Sequence, residues 1–65
     1  MDLIQSKIQK MINSGQRALE NLNEGNKRLS LGDLDYVHDY LIAAKCLLIE
    51  EIKEDEESEK NQEND

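Results

Sequence analysis

Residues 40–49 read Tyr-Leu-Ile-Ala-Ala-Lys-Cys-Leu-Leu-Ile, and nine of these ten are apolar, Lys45 being the exception. A surface helix needs one apolar stripe, so a helix that is apolar nearly all round must be covered on more than one side. A chain of 65 residues has little to cover it with. Chains of this size bury only about 60% of the surface that their unfolded form exposes. Association, a metal or a disulfide makes up the deficit. Cys46 is the only cysteine and His38 the only histidine. An intrachain disulfide is therefore excluded, and a zinc site lacks its ligands. Association is the remedy left: the expectation is a homodimer, a protein partner, or both.

Helices are favoured over strands. Proline is absent and only two residues, Tyr36 and Tyr40, are aromatic, so long helices are permitted and β structure is poorly supported. Ile4, Ile8, Met11, Gly15, Ala18, Leu22, Gly25 and Leu29 recur at spacings of four and three, the seam of a helix packed along its length. Its small members invite close approach of a second helix. Leu34, Val37, Leu41, Ala44, Leu48 and Ile52 form a second such seam. Ser30-Leu31-Gly32-Asp33 resembles a capping box, and Asp33 is itself a good N-cap. Lys27 and Arg28 suit the negative end of a preceding helix, and Asp33 and Asp35 the positive end of a following one. These signals predict an all-α fold. Its domain, residues 1–57, comprises helix 1 over about 2–29, a turn at about 30–33 and helix 2 over about 33–56. Gly25-Asn26 is the rival break. Matched lengths and a short turn make an antiparallel two-helix hairpin, expected to dimerise into a four-helix bundle.

The net charge of −7 is uneven. Residues 1–49 hold six basic and six acidic groups, whereas residues 50–65 hold nine acids and two lysines. The body is neutral and the C-terminal part carries the whole excess. Glu50 with Glu54, and Glu51 with Asp55, are repulsive i,i+4 pairs, and acids oppose the dipole at a helix C-terminus. Fraying is expected near 54–57, with residues 58–65 a disordered acidic tail that solubilises the body or docks on a basic partner.

No residue announces a chemistry. His38 lies between Asp35 and Asp39, but catalysis also needs a nucleophile or a substrate pocket. Neither catalytic residues nor a metal nor a cofactor is expected, and Cys46 is assigned to packing. The surplus apolar residues flank the helix 2 seam. Tyr36, Tyr40, Ala43 and Leu47 lie on one side of it, Ile42 and Ile49 on the other. They are the candidate partner-binding residues of a small non-enzymatic regulator, an inhibitor, antagonist or co-chaperone. The alternative is an RNA-binding face made of Lys7, Lys10, Arg17 and Arg28. The acidic tail would repel nucleic acid, which disfavours that alternative. The apolar decapeptide has half the length a bilayer requires, and the N-terminus lacks a continuous apolar signal region. A cytoplasmic protein is the expectation, and the Lys, Ile and Asn content suggests an AT-rich bacterial or phage genome.

Three resemblances follow from these segments. Gly32-Asp33-Leu34-Asp35-Tyr36-Val37-His38-Asp39-Tyr40-Leu41-Ile42-Ala43-Ala44 resembles the turn and second helix of a tetratricopeptide repeat, with Val37 and Ala44 at small positions and Leu41 at a large one. Asn21 and Arg28 depart from that pattern, so the resemblance implies a helix–turn–helix alone. The overall plan is similar to the Rop family of plasmid copy-number regulators, which implies a dimeric four-helix bundle that binds RNA through its first helices. It is also similar to small type III secretion co-chaperones, hairpins that cover an apolar partner. Likeness of shape does not assign function.

Overall fold

A computed structural model describes residues 2–63, with side chains placed through residue 57. Met1, Asn64 and Asp65 lie outside the described residues.

The first helix, α1, spans Leu3–Asn23. Asp2 caps it. Its Oδ1 accepts the Ile4 N–H at 2.7 Å, and its carbonyl accepts the Ser6 N–H at 3.0 Å. The first bond pairs an otherwise unsatisfied donor of the first turn, and the second is the first bond of the helical ladder. The helix ends in a Schellman stop. Gly25 N–H donates to the Leu22 carbonyl at 3.0 Å, and Asn26 N–H to the Asn21 carbonyl at 2.7 Å. Gly25 has φ of 85°, a left-handed conformation that a Cβ makes costly. The second helix, α2, begins at once and spans Lys27–Glu63. The Asn26 carbonyl accepts its first bond, from Ser30 N–H at 3.0 Å.

The turn thus lies at residues 24–26 and not at 30–33. The rival break at Gly25-Asn26 is the one used, and α1 is shorter and α2 longer than the expected 2–29 and 33–56. The cause is local. Ser30 and Asp33 resemble caps, but their side chains bond across the hairpin. At the other end α2 runs on to Glu63, through the segment expected to fray and lose order. No glycine or proline follows Gly32, and Glu, Lys and Gln are strong helix formers.

The two helices pack antiparallel, α1 beside the first part of α2. Apart from Ile4, what lies buried between them is small: Ser14 and Ala18 on α1, Ser30 and Ala44 on α2. Small side chains let the axes approach closely. Ser30 Oγ donates to the Ala18 carbonyl at 2.7 Å within that contact, so a buried hydroxyl fixes the register of one helix on the other. The expected α1 seam holds at Ile4, Ile8, Met11, Gly15 and Ala18, which are buried or half-buried together with Ser14, while Leu22 stays exposed. The expected α2 seam holds at Val37 and Ala44 but not at Leu34, Leu41 and Leu48, which are exposed; the buried line there runs through Ser30 and Ala44, with Tyr40 and Leu47 half-buried beside it.

The result is one layer of helices. The Cα trace measures 61 × 19 × 12 Å, two helices wide and one helix thick. Stable domains stack two layers around a core. Here both broad faces of the single layer are bare.

Candidate interaction surfaces

The seam divides the molecule into two faces, and adjacent residues on each helix fall on opposite sides of it. Lys7, Ser14, Arg17 and Asn21 of α1 meet Asp33 and Tyr40 of α2 on one side. Gly15, Leu19 and Leu22 meet Leu34 on the other.

The first face is polar and closed on itself. Asn21 Nδ2 donates to Asp33 Oδ2 at 2.7 Å. Arg17 Nε lies 3.7 Å from Asp33 Oδ1, and its Nη2 donates to Ser14 Oγ at 2.9 Å. Asp33 is well covered, whereas Arg17 is half exposed. The charge-assisted bond from Asn21 therefore contributes more than the screened ion pair. Lys7 Nζ sits 5.8 Å from the centroid of the Tyr40 ring, within the range of cation–π attraction. A small hollow of about 150 Å³, lined by Lys10, Asn13, Ser14, Arg17 and Tyr40, is left between these groups.

The second face is apolar and open. A groove of about 240 Å³ has a floor of Gly15, Ala18 and Ser30 and walls of Leu19, Leu22 and Leu34. Leu34, Leu41 and Leu48 follow one another at seven-residue intervals, which places them on one side of α2. They are 51%, 41% and 40% exposed. Ile12 lies seven residues before Leu19, and both are exposed as well. Monomeric proteins rarely leave so continuous an apolar strip in water, and such a strip marks an interaction surface.

The sequence-predicted partner residues are divided by this geometry. Tyr36, Ile42 and Ile49 are exposed, while Tyr40, Ala43 and Leu47 are half-buried against α1. The leucines assigned to the hairpin seam are instead the outward ones. The Leu34-Leu41-Leu48 spacing was the signal for them, and it does not say which neighbour the stripe faces. Cys46, expected in packing, is exposed. So are His38 and Lys45. Of the four candidate RNA-binding cations, Lys7 and Arg17 are engaged within the hairpin. Lys10 is exposed beside the polar hollow. Arg28 belongs to the first turn of α2, not to α1, so the four do not form one stripe on one helix.

At the open end of the hairpin, Asp2, Glu50, Glu51 and Glu54 surround Leu3, Ile4 and Leu47. The opposite end carries Lys27 and Arg28. Among the described residues no three His, Cys, Asp or Glu side chains gather as a metal site requires. No helix there is long and apolar enough to cross a membrane. The chain matches no protein-family model, no curated protein and no solved structure.

Proposed function

We propose that this protein is a small non-enzymatic regulator that acts by binding other protein surface, with the apolar face of the hairpin as its docking surface. The observation that carries the reading is the single 12 Å layer with Leu34, Leu41 and Leu48 half exposed along one side. A second layer is what such a face lacks, and one or two further helices packed on it would supply it. Complete burial of a leucine is worth about 1.5–3 kcal/mol; these three are already about half covered, so covering the rest of each contributes roughly half of that to association. The expected flank residues Tyr36, Ile42 and Ile49 border the docking surface. Tyr40, Ala43 and Leu47 act from inside the hairpin by holding α2 against α1.

The test is a comparison of captured proteins. The full chain and its Leu34→Asp/Leu41→Asp variant are used as baits in the cells of origin, and each bait is weighed for copies of itself and for partners. Binding that is present for the natural chain and lost for the variant, with helicity kept, supports the reading. Binding that survives in the variant overturns it.

A further inference from the structure

The charges of α2 are segregated along its length. Its first turn carries Lys27 and Arg28 and no acid, although a helix N-terminus favours acids. Residues 50–57 carry six acids and one lysine, with repulsive i,i+4 pairs among them. Among the described residues, Lys27, Glu54 and Asp55 form no ion pair.

The same charges lie in line with the apolar stripe. Lys27, Leu34, Leu41, Leu48 and Asp55 are each seven residues apart, and all five are exposed. Read from its two ends, the stripe is complementary to itself. Turned end for end about Leu41, it places Lys27 opposite Asp55, Leu34 opposite Leu48, and Leu41 opposite Leu41. A two-fold interface demands this property, since one patch must match its own copy.

We infer that the occupant of the apolar face is a second copy of this chain, stacked so that α2 runs antiparallel on α2 with the two-fold axis at Leu41. This rests on the reading of that face as a protein-binding surface and names its partner. Leu48 and Ile52 of each copy then lie opposite the groove that Gly15, Ala18 and Leu34 form in the other. The basic turn of each copy lies over the acidic stretch of the other, so Lys27 and Arg28 gain acidic neighbours and part of the acidic excess is offset. The alternative stacking, with both turns at one end, gathers the two basic turns together and the two acidic ends together.

Cross-linking of single cysteines in the full chain tests this. Leu34→Cys, Leu41→Cys and Leu48→Cys are each made in a Cys46→Ala background, checked for native helicity, and treated with a short bis-maleimide. Light scattering gives the mass of each before treatment. The expected result is that L41C links to itself, that L34C and L48C alone do not, and that an equimolar mixture of L34C and L48C does. In the antiparallel pair each L34C thiol lies about 21 Å along the axis from its mate, fourteen residues at 1.5 Å each. Self-linking of L34C overturns the orientation. A dimer by mass in which none of the pairs links overturns the register. A monomer at every concentration overturns the second copy as occupant. That last result leaves the docking reading standing if the Leu34→Asp/Leu41→Asp chain still loses a captured protein partner.

Discussion

The two broad faces of the hairpin are built from alternate residues of the same helices. On one face Ser14, Arg17, Asn21 and Asp33 satisfy one another, and Lys7 lies over Tyr40. On the other, Leu19, Leu22 and Leu34 stand around a groove with nothing across it. The polar face holds the two helices in one register. It leaves little for a partner, because Arg17 and Lys7 are already engaged. On the apolar face Leu19, Leu22 and Leu34 stay more than half exposed, above a buried contact of Ser14, Ala18, Ser30 and Ala44 with Ile4 toward its open end. The difference teaches how a very small chain is built: polar bonds with small side chains fix the register of the hairpin, and large apolar side chains stay half exposed on its other face.

The division can be broken most sharply at the leucines. Leu34→Asp with Leu41→Asp puts two charges where apolar contact is needed, and a charge buried without a partner is strongly disfavoured. Association is expected to weaken by at least about 100-fold, some 3 kcal/mol. Sedimentation velocity checks this, and circular dichroism shows whether the helices persist.

Asp33→Ala acts on the opposite face. It removes the acceptor of Asn21 and the partner of Arg17, and a lost charge-assisted bond costs about 1.5–3 kcal/mol. Thermal stability should fall while the intrinsic affinity of the apolar face is unchanged. An equal loss of both would mean that the faces are not independent.

Smaller effects belong to the glycines, and they have opposite signs. Gly25→Ala forces a Cβ into the left-handed conformation of the turn and is expected to cost about 1 kcal/mol. Gly15→Ala is expected to gain about 0.5–1 kcal/mol of helix stability. A Cβ there meets only Val37 Cγ2, at 3.9 Å, an ordinary contact. Chemical denaturation of both variants checks the pair. A destabilised Gly15→Ala variant would show that the close approach at this point is essential to the hairpin.

Much of this architecture is legible in the sequence, and the failures have physical causes. The absence of proline and the three-four spacing of apolar residues correctly predict two helices and no strand among the described residues. The excess of apolar residues for so short a chain also shows directly in residues 40–49. The turn is misread because Ser30 and Asp33 carry cap chemistry, and only the fold reveals that their bonds go to Ala18 and Asn21. Gly25 held the true signal, a residue able to take positive φ. The α1 seam is legible from Ile4 to Ala18, and the α2 seam departs at Leu34, Leu41 and Leu48, because large side chains suggest a core that small ones make. α2 has two neighbouring stripes, Leu34-Leu41-Leu48 and Asp33-Tyr40-Leu47, on either side of Ala44. Periodicity finds both and cannot say which leans toward α1. Close packing on small residues decides it, and that is a property of the pair of helices. Cys46 lies two residues, about 200° round the helix, from the buried Ala44, and so faces outward.

The central claim is that the apolar face of the hairpin is covered by a second copy of the chain. Light scattering of the purified natural protein across a wide range of concentrations measures this most directly, with Leu34→Asp/Leu41→Asp as the comparison. The account predicts twice 7.5 kDa for the natural chain, falling toward the single mass on dilution, and the single mass throughout for the variant. A natural chain that stays at the single mass at every concentration, fully helical and binding no hydrophobic dye, would contradict it.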